Sequence, residues 1–267
     1  MDEDDEVDES PMAFMFDAEK RKDEQEFVFE SSLTGSFTIS LKLIAGDPGH
    51  QQSGQYLWPA SAFNARWVLS HPQSPFHVES SERDLTLLEL GAGCGLTGLA
   101  LSHLPCVKSV VLTDYDYGAL ELLKENATKC QSSMKGTKKE FITVEEMKWG
   151  SALSQALRSA VSLNNTDDVN DEALEGKTDR LLILGSDLIY CSSVCLPLFT
   201  TVRDILAVAP RNKNEGANAF FLVSSFALKD EIEEAAVQAY SSLGLIQTEI
   251  NSLHVESGQC RCQLFHL

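Results

Sequence analysis

Short apolar runs alternate with helix-forming segments from residue 84 onward, and this alternation constrains the fold more than any other feature. Five strand–helix pairs follow one another, from DLTLLEL and CGLTGLALSHL to AFFLVSSF and KDEIEEAAVQAYSSLG. Strands joined through helices run parallel, and the helices then cover both faces of their sheet. LIQTEI and RCQLFHL add two further strands. The sequence therefore predicts a doubly wound α/β fold with a mostly parallel seven-stranded sheet.

Residues 27–57 precede this core and are predicted to form a β-hairpin followed by a loop. The runs FVFESS and SFTISLKLI have strand character, because apolar and polar residues alternate in the second run and Thr-Gly separates the two. The preceding stretch, 1–26, is rich in acid and is predicted to be a disordered tail. The predicted division is thus this tail and one domain over 27–267, whose core spans 58–267.

Composition excludes several classes of partner. The formal net charge is −19, whereas phosphate backbones favour basic surfaces, so no nucleic-acid partner is expected. No run approaches the roughly 18 uncharged apolar residues of a membrane span, and MDEDDEVDES is the opposite of a secretory signal. The seven cysteines lack zinc-site spacing and are expected to be reduced. These features predict a metal-free protein of the cytoplasm, and also of the nucleus; no coiled-coil repeat is seen, which favours a monomer.

A glycine-rich turn joins the first core strand to its helix in LLELGAGCGLTGLAL. Glycine lets the backbone turn sharply and approach a ligand closely. Open α/β sheets bind ligands at the carboxyl ends of their strands, so the turn Gly91–Gly95 is a candidate cofactor site in a Rossmann-like core. Gly93, Gly95 and Gly98 also match the dinucleotide pattern G-x-G-x-x-G, which leaves a dinucleotide as an alternative cofactor.

Two acids accompany this turn. Glu89 lies two residues before the first glycine within an apolar strand, where a carboxylate is costly to bury without a partner. Its structural alternative to a cofactor contact is a carboxylate held by backbone N–H groups. Asp114 ends the second strand, where a carboxylate can accept hydrogen bonds from both hydroxyls of a ribose. Its alternative is a helix N-cap, for which Asp116 is better placed.

The chain resembles family 16 of the seven-strand methyltransferases, which includes many protein-lysine methyltransferases. Four segments in the same order carry the resemblance, over roughly residues 27–267: YLWPASAFNARWVL, LLELGAGCGLTGLAL, MKWG and GSDLIY. Class I methyltransferases commonly carry an acid at the place of Glu89, which favours S-adenosylmethionine over a dinucleotide. The family often has alanine where this chain has Ser186. The cofactor-binding residues that the resemblance implies are Trp58, Glu89, Gly91, Ala92, Gly93, Asp114, Trp149 and Ser186.

The segment GSDLIY matches the family's Asp-x-x-Tyr motif as Asp187 and Tyr190, which the resemblance implies as catalytic residues beside the methyl-accepting amine. It implies S-adenosylmethionine-dependent N-methylation of a lysine side chain on another protein. Enzymes that methylate planar nitrogens usually carry two prolines here, and their absence again argues against a nucleic-acid substrate. The alternatives are an arginine or small-molecule acceptor, and a non-catalytic cofactor-binding protein.

Asp187 is assigned a positioning role rather than that of a base, because a nearby anion stabilises the ammonium form of lysine. Its structural alternative is a cap on the helix that follows. Residues 45–57 and 162–179 are the candidate covers of the site, as in a small-molecule methyltransferase, and either could equally form a rim on which a protein acceptor docks.

Overall fold

The computed structural model describes residues 22–44, 54–71, 84–134, 141–161, 180–209, 211–212, 216–217, 219–226, 228–255 and 258–267. The helices are α1 (Pro59–Ser70), α2 (Leu96–Leu101), α3 (Tyr117–Ser133), α4 (Gln155–Val161), α5 (Ser192–Val208) and α6 (Asp230–Ser242). The strands are β1 (Lys22–Ser31), β2 (Gly35–Ile44), β3 (Leu85–Leu90), β4 (Val107–Asp114), β5 (Ile142–Glu146), β6 (Arg180–Ser186), β7 (Arg211–Asn212), β8 (Gly216–Ala217), β9 (Ala219–Phe226), β10 (Ile246–Val255) and β11 (Gly258–His266).

Seven strands form the central sheet, in the order β10-β11-β9-β6-β3-β4-β5. The strands from β9 to β5 pair in parallel, and β11 is antiparallel to both of its neighbours, β9 and β10. This confirms the predicted α/β fold with a mostly parallel seven-stranded sheet. The chain runs outward from β3 to β4 and β5 and then returns to β6 on the other side of β3. The strand order therefore reverses between β3 and β6, which is where open α/β sheets bind their ligands.

Side chains that alternate along the strands pack on helices at opposite faces of the sheet. Leu85 and Leu87 of β3 join one buried cluster with residues of α1, α2 and α3, whereas Leu88 and Leu90 join a second cluster with residues of α4, α5 and α6. Two apolar layers of helices thus enclose the sheet. Because Glu89 has the parity of Leu87, its side chain lies on the face of α1–α3.

The strands β1 and β2 form an antiparallel hairpin, which confirms the N-terminal extension. Strand β1 begins at Lys22, five residues before the predicted start, because its first residues also pair with β2: Gln25 lies opposite Leu41. The Glu24 carboxylate accepts hydrogen bonds from Ser40 Oγ, at 2.6 Å, and from Lys129 Nζ of α3. Residues 22–26 therefore belong to the hairpin rather than to the acidic tail, and residues 1–21 lie outside the described part of the chain.

Smaller differences concern the ends of elements. Helix α2 begins at Leu96, after Gly95 with φ +86° in the left-handed region, and so is shorter than the predicted helix. Helix α5 contains Pro197, five residues after its first residue, Ser192. Most of the two predicted covers, 45–53 and 162–179, lies outside the described residues. Among the helices that the structure describes, none combines the length and hydropathy needed to cross a membrane.

Candidate active site

The predicted site residues converge on one edge of the sheet because they follow or end neighbouring parallel strands. The glycine turn follows β3, Asp114 ends β4, and Ser186 ends β6. Since β6, β3 and β4 are adjacent, their carboxyl ends place the glycine turn between Asp114 on one side and Ser186–Asp187 on the other. The site therefore spans the point at which the strand order reverses.

The backbone of the turn leaves no room for side chains at two of its glycines. Gly91 and Gly93 have φ of +56° and +55°, in the left-handed region that glycine adopts most readily. A Cβ atom on Gly93 would lie 2.7 Å from the carbonyl oxygen of Gly54, in the segment before α1. A Cβ atom on Gly91 would lie 2.8 Å from Leu188 Cδ2 and 3.0 Å from Trp149 Cζ2. Three separate segments of the chain, at Gly54, Trp149 and Leu188, therefore pack directly against the backbone of the turn.

Replacing Gly93 by alanine is expected to lower the free energy of unfolding by about 1–3 kcal/mol and to abolish binding of the cofactor that the sequence predicts, S-adenosylmethionine, in calorimetric titration. The new methyl group would be strained at positive φ and would collide with a backbone oxygen that cannot rotate away. Gly244→Ala is the matched control, because Gly244 has φ +73° and nothing within 4 Å of its Cβ position. A control that lost cofactor binding equally would contradict the local explanation.

Asp114 is 7% exposed and is held by the turn itself. Its Oδ2 accepts a hydrogen bond from Gly93 N at 3.0 Å, and its Oδ1 accepts from Tyr115 N at 2.8 Å and Asp116 N at 3.0 Å. Burial raises the pKa of this carboxyl, and the three N–H groups oppose the rise. The carboxylate retains one of its roughly four acceptor positions. The predicted helix cap is confirmed for Asp116, whose Oδ1 accepts from Ala119 N at 2.8 Å.

Glu89 lies beneath the turn and is 2% exposed. Its Oε2 accepts a hydrogen bond from Gly98 N at 2.8 Å, in the first turn of α2. The structure thus shows Glu89 as a carboxylate held by a backbone N–H group, which the sequence raised as the alternative to a cofactor contact. Burial raises its pKa from 4.5 to about 7, against the effect of the Gly98 N–H group.

Replacing Glu89 by glutamine is expected to stabilise the fold at high pH relative to the wild type. Because its pKa is raised in the folded chain from 4.5 to about 7, the contribution of Glu89 to the free energy of unfolding is full below pH 4.5 and is lost as the pH rises through about 7. The loss is about 3 kcal/mol, at about 1.36 kcal/mol for each pH unit. Glutamine keeps an oxygen for Gly98 N–H and cannot ionise.

Urea unfolding of both proteins at about pH 5 and about pH 8 measures this difference. The free energy of unfolding of the variant, relative to that of the wild type, should increase as the pH rises. An equal difference in this free energy at the two pH values would contradict a raised pKa of Glu89 in the folded chain.

The two predicted tryptophans occupy different positions at this edge. Trp149 packs from the face of α4–α6 onto Gly91, and Gly150 N donates a hydrogen bond to Thr201 Oγ1 of α5 at 2.8 Å, which fixes the turn that carries Trp149. Trp58 stands at the N-cap position of α1 and is 45% exposed. Its ring meets Tyr56 edge-on, with centroids 5.5 Å apart. Tyr190 is 60% exposed, so its phenol and the Trp58 ring present aromatic surface to solvent.

Asp187 is the only non-glycine residue with positive φ in the described ranges, at 55°. Aspartate tolerates this left-handed conformation better than most residues. Asp187 N donates to Ser224 O at 2.8 Å. Its carboxylate accepts two long hydrogen bonds, from Ala60 N to Oδ2 at 3.4 Å and from Phe226 N to Oδ1 at 3.3 Å. Burial raises the pKa of the Asp187 carboxyl, and these two N–H groups oppose the rise.

The predicted alternative for Asp187, a cap on the helix that follows, is wrong. The N-cap residue of α5 is Cys191, which makes no side-chain capping bond. Asp187 instead accepts from Ala60 N in the first turn of α1, because the left-handed backbone directs the carboxylate toward that earlier helix. The residue thus joins the ends of β6 and β9 to the start of α1.

Sequence reasoning missed the polar side chains that surround Ser186. Asn64 of α1 is fully buried, and its Nδ2 donates to Gly185 O at 3.0 Å and to Ser186 Oγ at 3.3 Å. Thr97 Oγ1 lies 3.2 Å from Ser186 Oγ and donates to Ser61 O at 3.1 Å. The available signal was an asparagine within the otherwise apolar face of FNARWVL. No cluster of metal ligands occurs among the residues whose placement the structure gives.

Comparisons with known proteins give a family and several relatives. A family model described as lysine methyltransferase matches residues 39–214. The chain is 25% identical over 173 residues to the Mus musculus protein-lysine N-methyltransferase EEF2KMT, covering 62% of this chain and 44% of that protein. It is 28% identical over 182 residues to the protein N-terminal and lysine N-methyltransferase EFM7 of Cryptococcus neoformans, covering 68% and 52%. An uncharacterized Dictyostelium discoideum protein is 24% identical over 249 residues, covering 88% and 58%. The chain therefore spans about half the length of the curated relatives it matches.

Proposed function

Because the chain belongs to the lysine methyltransferase family, we propose that it is an S-adenosylmethionine-dependent N-methyltransferase that acts on a lysine side chain of a protein. One observation carries the proposal: the glycine turn with Asp114 and the Asp187–Tyr190 motif lie on opposite sides of β3 at the same sheet edge. A cofactor held at the first group and an acceptor held at the second would meet at the reversal of strand order.

The residues present fit the proposed cofactor. Gly91 and Gly93 adopt the left-handed backbone of a tight turn at the carboxyl end of β3, where open α/β sheets bind their ligands. Asp114 would accept a hydrogen bond from a ribose hydroxyl, since its carboxylate is fixed and keeps an acceptor position. Trp149 and Trp58 offer aromatic surface, which suits both an adenine ring and a sulfonium cation. Glu89 would act from beneath the turn, through Gly98 N and the start of α2.

When bound, S-adenosylmethionine supplies an electrophilic methyl group. The acceptor amine needs a free lone pair, whereas a lysine with a pKa near 10.4 is almost entirely protonated at pH 7, and removal of that proton costs about 5 kcal/mol. Asp187 is poorly suited to drive off the proton, because a nearby anion stabilises the ammonium form of the lysine. We propose that Asp187 positions the acceptor, that Tyr190 lines its approach, and that the proton leaves to water.

The printed names of the relatives support a protein acceptor, since they are protein-lysine and protein N-terminal methyltransferases. The acidic character of this chain, with its formal net charge of −19, favours a basic segment around the target lysine. A cytoplasmic or nuclear location and a monomeric state remain predictions.

The test is incubation of the purified chain with methyl-labelled S-adenosylmethionine and a cell extract, beside an Asp187→Ala control. The expected result is a discrete labelled protein band that is absent from the reaction with the control. Acid hydrolysis of this labelled protein should yield methyl-lysine. Label on arginine, or only on small molecules, would replace the lysine proposal with one of its alternatives. Cofactor binding without transfer to any component would indicate a non-catalytic binding protein.

A further inference from the structure

Asn64 stands out as a polar side chain enclosed in the apolar face of α1. It is fully buried, between Ala60, Ala65 and Val68, which are buried as well. Both hydrogen-bond donors of its amide point at the end of β6, toward Gly185 O and Ser186 Oγ. Its Oδ1 has no hydrogen-bond partner among the residues that the structure describes.

Stability does not explain an asparagine at this place. A buried acceptor without a partner costs about 1–3 kcal/mol, whereas apolar side chains of similar shape avoid that cost. Leucine has the same number of side-chain heavy atoms and the same branching at Cγ, favours helices more than asparagine and would match the surrounding apolar residues. What Asn64 adds is therefore the pair of contacts to Gly185 and Ser186 that leucine cannot make.

These contacts act together with the bond between α1 and Asp187. Ala60 and Asn64 lie one helical turn apart, a rise of about 6 Å. Gly185 and Asp187 are the residues on either side of Ser186, at the end of β6. Helix α1 therefore contacts this segment at two points, through Asn64 Nδ2 to Gly185 O at 3.0 Å and through Ala60 N to Asp187 Oδ2 at 3.4 Å.

A third attachment ties the same helix to β9. Ser224 Oγ donates to Ala60 O at 3.3 Å, while Asp187 N donates to Ser224 O at 2.8 Å. The left-handed backbone at Asp187 is thus held from two sides, and such a conformation persists only where its surroundings fix it. Of the side chains on α1, Asn64 is the one that fixes the backbone just before this strained residue.

We propose that Asn64 is a positioning residue for the acceptor side of the active site. Its hydrogen bonds to Gly185 and Ser186 fix the position and direction of the backbone that leads into Asp187 and on to Tyr190. This inference rests on the proposed methyl transfer, and it assigns to α1 a part in holding the acceptor motif in addition to the predicted cofactor contact of Trp58.

The variant Asn64→Leu tests the inference, with Asn64→Ala as a second variant should leucine not be accommodated. Turnover is measured at saturating S-adenosylmethionine with the protein of the cell extract that the wild-type chain methylates. It is expected to fall about tenfold, because a misplacement of about 1 Å can cost about 100-fold and Asn64 acts on the acceptor only through Gly185 and Ser186. Hydrogen exchange of the cofactor-free chain is expected to become at least about threefold faster at residues 186–190.

The matched control is Thr86→Val, which removes the hydrogen bond of 2.9 Å between Oγ1 of the buried Thr86 and Oγ of the half-buried Ser109, at the opposite end of β3. It is expected to keep both the turnover and the exchange rates of residues 186–190, even where its loss of stability equals that of the Asn64 variants.

If both Asn64 variants keep the turnover and the hydrogen-exchange rates of the wild type, the inference is overturned and the proposed function is left intact. An equal fall in turnover for Thr86→Val would also overturn it, because general destabilisation would then suffice. If the wild-type chain transfers no methyl group, the proposed function fails instead, and the exchange rates, which need no substrate, still decide whether Asn64 holds the segment.

Discussion

Methyl transfer is expected to fall by at least about 100-fold when Asp187 is replaced by alanine, while the affinity for S-adenosylmethionine changes less than about threefold. The carboxylate joins Ala60 N of α1 to Phe226 N at the end of β9. Without it, the left-handed backbone at residue 187 loses its support, and a misplacement of about 1 Å at a reacting centre can cost about 100-fold in rate. Single-turnover transfer and calorimetric titration of the cofactor measure the two quantities.

The variant Asp187→Asn separates positioning from proton transfer. Asparagine keeps one acceptor oxygen and the tolerance for positive φ, so a positioning residue should retain at least about tenfold more activity as asparagine than as alanine, with an unchanged pH profile. A base could not be replaced in this way, and equal loss in both variants would contradict the positioning role. Ser154→Ala is the control for loss of a helix cap, since Ser154 Oγ accepts from Leu157 N at the start of α4.

The affinity for S-adenosylmethionine is expected to fall about 100-fold in Asp114→Asn. A hydrogen bond to a charged group contributes about 1.5–3 kcal/mol, and the variant loses the charge that a ribose hydroxyl would meet. It also loses part of the network that shapes the turn, because the amide group of asparagine cannot accept from Tyr115 N, Asp116 N and Gly93 N at once. Calorimetric titration with S-adenosylmethionine measures the change.

The matched control for Asp114 is Asp84→Asn at the opposite end of β3. Asp84 pairs with Arg180, with Oδ1 2.5 Å from Nη2, and both side chains are largely buried. This control is expected to lose stability but to keep cofactor affinity. If both variants lost affinity alike, the loss would reflect the stability of the sheet rather than a contact of Asp114 with the cofactor.

Much of the fold could be predicted from local patterns. The alternation of apolar strands and helices predicted the seven strands of the sheet. The first and last predicted strand–helix pairs begin and end within three residues of β3, α2, β9 and α6. The start of β1 was missed because KDEQE has no apolar alternation. Its strand conformation depends on pairing with β2 and on the contact of Glu24 with Lys129, which lies more than 100 residues away.

For the candidate site, the positions of the residues could be predicted from the sequence, but the partners of their side chains could not. The glycine turn, Asp114 and Asp187 could be placed at one edge because parallel strands end together. The partners of their side chains could not be predicted, since Ala60, Phe226 and Asn64 reach Asp187 or Ser186 only through the packing of α1 and β9. The contact of Glu89 with Gly98 could be predicted only as one of two alternatives. The sequence shows an acid within an apolar strand, but it does not show which group lies opposite its carboxylate.

The position of β11 between β9 and β10 governs how this sheet can be completed on the ribosome. Strand β10 is made earlier, yet within the described part of the chain its only sheet neighbour is β11. Phe265 of β11 fills the space beside Phe199, Phe221 and Tyr240, with ring centroids 5.1–5.9 Å away. A nascent chain that already carries every residue of the candidate site therefore still presents a bare strand edge and an unfilled aromatic pocket. Such surfaces are where chaperones act and where chains aggregate before synthesis of a domain is complete.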